Sequence, residues 1–175
     1  MIENLIALLV LSIGLLGLAG LQAASFRNSK DATYRAIATQ QATDMVNRIR
    51  VNSAGVVSGQ YNAISPLPPM PGIFCDATAC NAAELATFDT WEWNTRNAAL
   101  LPRGGGTVVG TPLTIAAVDP LLTPRQFTIT VRWDGDRNGA TGICCNPSIA
   151  ADQKCVTLQV VAPGVSQLER LHLTP

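Results

Sequence analysis

Residues 1–52 read MIENLIALLVLSIGLLGLAGLQAASFRNSKDATYRAIATQQATDMVNRIRVN, and this stretch decides the fold. From Leu5 to Ala24 it carries no charged residue and no proline. That run matches the roughly 20 apolar residues a helix needs to cross hydrocarbon. A secretory signal peptide has a basic leader and a shorter apolar core, so the run reads as a membrane helix instead. A helix of this length that is apolar on every side does not suit the surface of a soluble domain.

The pattern then changes without a break. Phe26 to Asn52 contains neither Gly nor Pro. Ala38, Ala42, Met45 and Ile49 recur at helical spacing, with Ile37 and Val46 widening the stripe, while Arg27, Lys30, Arg35, Gln41, Asp44, Arg48 and Arg50 fall mostly elsewhere. The spacing predicts a single helix through both halves, ending before the turn-forming cluster Asn52-Ser53-Ala54-Gly55. Three segments follow: residues 1–24 as the transmembrane half, 25–52 as the amphipathic half, and 53–175 as a globular head.

Two features of the apolar half call for an explanation. Glu3 is an ionisable group at the edge of a membrane helix, which is costly there unless it is solvated or paired. It reads either as an interfacial carboxylate among headgroups or as a partner for another chain's amino terminus. Gly14, Gly17 and Gly20 recur every three residues, and each weakens a helix by about 1 kcal/mol relative to Ala. They read either as small residues for close packing in a membrane or as helix-loosening positions.

Among 175 residues, 12 basic and 12 acidic side chains leave no net charge, which gives no electrostatic reason to expect a nucleic-acid partner. The head carries Cys75, Cys80, Cys144, Cys145 and Cys155. Their spacing does not make paired C-x-x-C ligand sets and no His lies nearby, so they read as disulfides in an oxidising compartment rather than as a zinc site. The expected bonds are Cys75–Cys80 and Cys155 with Cys144 or Cys145, with crossed pairings open and the strained bond between neighbours Cys144 and Cys145 last. The odd count leaves a thiol over.

Elsewhere in the head, residues 66–72 form a proline-rich connector and 81–101 a helix. Pro102 to Gly106 reads as a loop, followed by short strands at 107–109 and 114–118. Gln126 to Trp133 alternates Phe127, Ile129, Val131 and Trp133 with polar residues, a clear strand, and Cys155 to Val161 offers its hairpin partner. The fold class is α+β, a long helix backed by a small antiparallel sheet.

No H-E-x-x-H, G-x-S-x-G, Walker or dinucleotide motif occurs, and His172 is the only histidine, so no enzymatic activity is expected. Residues 134–139, DGDRNG, match the first half of an EF-hand loop, with Asp134, Asp136 and Asn138 as Ca²⁺ ligands and a glycine in sixth place. The twelfth position is Cys145 instead of the bidentate Glu. The same six residues also suit a plain polar hairpin loop.

The stretch MIENLIALLVLSIGLLGLAGLQ with ATQQATDMVNRIRVN resembles the N-terminus of the type IV pilin family. Within the family it is most similar to minor pilins of the PilV type, where LLVLSIGLLGLAGLQ and an A-x-x-M-x-x-R-x-R-x-N ending have close parallels. The resemblance covers about the first 52 residues; later it rests only on the strands ITVRW and CVTLQVV. It implies a pilin-like fold, with Glu3 in the place of the pilin glutamate. It further implies a prepilin peptidase acting on the precursor ahead of Met1, with methylation of the new terminus. The implied partners are other minor pilins, the major pilin and an inner-membrane assembly platform. The implied location is the inner membrane with a periplasmic head, then the pilus, in support of pilus assembly, twitching motility or adhesion. Type II secretion pseudopilins share the same helix. A stand-alone anchored binding or sensor protein would not need Glu3 at the helix start.

Overall fold

The computed structural model describes residues 2–113, 124–135, 137, 139 and 153–162. The chain divides into two compact units, residues 1–36 and 37–175. The elements in order are α1 (Ile2–Val51), α2 (Ser53–Val57), β1 (Ala63–Ile64), α3 (Ala82–Leu100), β2 (Gly105–Pro112), β3 (Arg125–Trp133) and β4 (Lys154–Ala162). The four strands form one antiparallel meander in the order β1-β2-β3-β4. The α+β class read from the sequence is therefore the observed one, and the layout is compatible with a pilin-like fold.

Within the second unit, α1 buries Ala38, Gln41, Ala42, Met45, Val46 and Ile49. Burial starts at Ala38, and Ile37 is only half-buried. Gln41 corrects the polar-face assignment, because it lies inside the stripe. The sequence's turn cluster after Val51 is also more ordered than expected. Asn52 caps a short helix, α2, by accepting from Gly55 N at 3.0 Å.

The core lies between these helices and one face of the sheet. Phe127, Ile129, Val131 and Trp133 of β3 are fully buried, as the alternation in the sequence predicts. Two of their neighbours in β2 are glycines, Gly110 opposite Phe127 and Gly106 opposite Val131, while Val108 faces Ile129. A Cβ at Gly106 would run into the Trp93 ring, so the missing side chain is the space that Trp93 occupies. Gly105 and Gly106 thus belong to β2 and not to the preceding loop, and at Gly106 a bare strand position is what the indole needs. The other face of the sheet is polar, with Gln126 Nε2 donating to Gln159 Oε1 at 3.0 Å across β3 and β4.

Helix α3 starts where the sequence marks it. Asn81 accepts from Ala83 N and Glu84 N, and Glu84 accepts in turn from Asn81 N, a reciprocal cap. Just before it, Cys75 and Cys80 are joined by a disulfide. Phe74 meets Phe88 and Trp91 edge-on, at centroid distances of 6.1 and 5.4 Å, and so seats this small loop on α3. Cys155 is disulfide-bonded as well; Cys144, Cys145 and the strand expected at 114–118 lie outside the described residues.

Ile49 is fully buried while its neighbour Arg50 is exposed. Ile49→Asp should cost about 4 kcal/mol or more, because it deletes an apolar contact and buries a charge. Arg50→Asp should cost less than about 1 kcal/mol, the size of an adverse helix-dipole interaction. Urea denaturation of the full chain in detergent, followed by circular dichroism, would measure both; equal costs would show that the buried face is misassigned.

Candidate functional site: an exposed apolar helix and a buried polar knot

The first unit exposes its hydrophobic side chains. Ile2, Leu5, Ile6, Leu8, Leu9, Val10, and onward to Leu21 all stand open. Among the described residues nothing buries the apolar segment, and α1 is long and apolar enough to cross a membrane. This is consistent with single-pass anchoring. Glu3 sits in the first turn of α1, where a carboxylate complements the positive end of the helix dipole. A Cβ placed on Gly14, Gly17 or Gly20 would meet nothing within 4 Å. These glycines therefore serve no close packing among the described residues of this chain. Their cost to the helix, about 1 kcal/mol each, is uncompensated here.

The second unit holds a polar cluster built on Asp44 and Arg48, which the sequence sets off the apolar stripe of α1. Arg48 Nη1 donates to Asp89 Oδ1 at 2.9 Å and to Glu92 Oε2 at 2.8 Å, and Arg48 Nε donates to Asp44 Oδ2 at 2.9 Å. Arg96 Nη2 adds a further bond to Glu92 Oε1 at 2.7 Å. From the other side, the Tyr61 hydroxyl donates to Asp89 Oδ2 at 2.7 Å, and Asn52 Nδ2 donates to that hydroxyl at 3.0 Å and to Ala82 O at 2.8 Å. Asp89 is thereby served on both oxygens. The end of α1, the start of α2 and two turns of α3 are joined by one chain of hydrogen bonds, each polarising the next. Helical spacing alone puts Asp44 and Arg48 beside the apolar stripe; the acidic residues on α3 draw Arg48 inward, and Arg48 holds Asp44.

Electrostatics follow from this geometry. Burial disfavours the Arg48 charge, but the bonds from Glu92 and Asp44 outweigh it and hold the guanidinium above its ordinary pKa. Burial first, and then the bond to Asp89, push the Tyr61 phenol well above the usual tyrosine value. Among the described residues no three His, Cys, Asp or Glu side chains gather to hold a metal ion. The arrangement joins the last turns of α1, the start of α2 and α3. Of the loop ligands named from the sequence, Asp134 is described and buried, whereas Asp136 and Asn138 lie outside the described residues.

Two outcomes test the knot. Arg48→Met should destabilise the protein by about 3–5 kcal/mol, since it strands the buried Asp89 carboxylate; a loss below about 1 kcal/mol in urea denaturation would show that the ion pairs are incidental. Tyr61 has a folded pKa raised above its unfolded value of about 10. Its contribution is therefore complete below about pH 10 and is lost as pH rises toward the folded value. The unfolding free energy should fall from pH 10 upward, and Tyr61→Phe should flatten that fall; an identical alkaline slope in the variant would count against it. No protein family, no curated protein and no solved structure matches this chain.

Proposed function

We propose that this protein is a minor pilin of the PilV type, a non-enzymatic subunit held in the inner membrane through α1 and taken from there into a type IV pilus. The observation that carries this reading is the fully exposed apolar segment of α1 with a single carboxylate, Glu3, in its first turn. A helix that merely anchors needs no charge at its rim, whereas a subunit leaving lipid for a filament core needs a polar registration point among apolar contacts. Glu3 accepts a positive partner on a neighbouring subunit, by the reading's logic the amino terminus of another pilin. The three glycines, with open space around each, fit either close approach of neighbouring helices or local loosening on assembly. In both cases a second chain, and not this one, makes use of them. The head, braced by the Arg48 knot and by the Cys75–Cys80 bond, presents its loops to neighbouring minor pilins and the major pilin.

Glu3→Ala, expressed at native level, should leave the protein in the membrane fraction at normal abundance. It should reduce the amount recovered in sheared filaments at least about tenfold, the effect of an unpaired charge in an apolar interface of about 1.4 kcal/mol or more. Normal incorporation of the variant would sink the registration role. Recovery of the wild-type chain in no filament, with secretion of folded proteins blocked on its deletion, would assign it to a secretion pseudopilus instead.

A further inference from the structure

The turns of α1 just past its apolar run carry charge that the function proposed above does not use. The run from Leu5 to Ala24 spans about 30 Å at 1.5 Å per residue, the thickness of a hydrocarbon core. Phe26, Arg27 and Lys30 come next. They lie about 3–9 Å beyond Ala24 along the helix axis. The headgroup layer occupies that interval, since polar regions add roughly 5–8 Å to each side of the hydrocarbon.

All three side chains are exposed, Phe26 by 68%. With 3.6 residues per turn they fall within about 100° of the helix circumference, so they make one face. Asp31 is the one acidic residue between Glu3 and Asp44 in the sequence, and it pairs with Arg35 Nε at 3.6 Å. Among the described residues neither Arg27 nor Lys30 enters an ion pair. The two cations are therefore the surplus charge of this collar. The other end of the apolar run carries the opposite sign, at Glu3.

We propose that Phe26, Arg27 and Lys30 form a docking face for the headgroups of anionic phospholipids, in the leaflet through which α1 leaves the membrane toward residue 37. The inference rests on α1 crossing a membrane, and it adds what that membrane must contain. The Arg27 guanidinium matches a phosphate with paired donors, and the Lys30 ammonium adds a mobile point charge. The Phe26 ring fills the boundary between acyl chains and headgroups. Charge complementarity alone would also suit an acidic protein surface. Continuity with the apolar run selects lipid, because a headgroup is bound to lie within the first turns beyond hydrocarbon. Each cation near an anionic surface strengthens attachment roughly fivefold, so the pair gives about twenty-five-fold over a neutral bilayer. The depth of α1 is fixed in this way, and a chain drawn out of the bilayer has to break these contacts.

The test uses full-length protein reconstituted into phosphatidylcholine vesicles that contain spin-labelled phosphatidylglycerol or spin-labelled phosphatidylcholine. Electron paramagnetic resonance gives the fraction of each probe immobilised by the protein. Phosphatidylglycerol should be preferred at least about fivefold. The preference should vanish in Arg27→Gln with Lys30→Gln and persist in Arg50→Gln, another exposed basic position of α1. It should also vanish in about 1 M NaCl, where charges are screened beyond about 3 Å. The salt effect on the unaltered chain decides the matter should the double variant fail to fold. Equal affinity for the two lipids, or a preference that survives both the substitutions and the salt, would overturn the lipid face while leaving the span intact. Equal affinity together with lost filament recovery in the double variant would assign the cations to an acidic protein surface instead. Loss of the chain from carbonate-washed vesicles of either composition would remove the span, and the docking face with it.

Discussion

Asp89 is the group on which the arrangement of the second unit depends. It is a carboxylate on a helix in the core, where each of its oxygens needs a donor. Arg48 reaches one and Tyr61 the other. Each of those donors comes from a different element, so satisfying a single charge dictates where the last turns of α1 and the segment after α2 must lie relative to α3. Asn52 extends the constraint by caring for the Tyr61 hydroxyl and the first carbonyl of α3 at once, while its own oxygen caps α2. A purely apolar core of the same volume could slide by a turn; this one cannot without exposing a buried charge to nothing.

The sheet answers to a second helix residue. Trp93 donates its indole N–H to Gln41 O of α1 at 2.8 Å and lays the ring where Gly106 has no side chain. Its neighbour Asn94 accepts from Gly106 N at 2.7 Å and donates to Ser65 O at 3.1 Å. Those bonds matter because β1 is only two residues long and pairs with Val108 and Val109 alone. The side chain of α3 replaces the missing strand partner, so that a buried backbone donor is not left empty. The bare position at Gly106 on β2 gives the indole its room.

The elements made of one repeated pattern were legible in the sequence. The apolar run, the i to i+4 stripe of α1 and the alternation of Phe127, Ile129, Val131 and Trp133 each state their own burial, because the periodicity of the backbone is written directly into them. Asn81 with Glu84 announced the start of α3. What escaped was set by tertiary partners. Arg48 looks like a surface residue until Asp89 and Glu92, some forty positions away, are brought against it. Strand β1 has two residues and no pattern to read, and α2 exists because Asn52 caps it. In the candidate site, Glu3 and the three glycines were visible as chemical anomalies in an apolar run. The unpartnered oxygen of Asp134 could be seen only once its surroundings at the end of β3 were placed.

The bond between Trp93 and the Gln41 carbonyl has a mechanical meaning. It joins a side chain of α3 to the backbone of α1, and the guanidinium of Arg48 joins the same two helices two turns further on. Tension drawn along α1 would meet both attachments in shear, side by side, and neither could open before the other was strained. Resistance to pulling is governed by the barrier to that joint rupture and not by the sum of the separate equilibrium strengths. A domain fastened this way meets traction along its longest helix with both attachments at once.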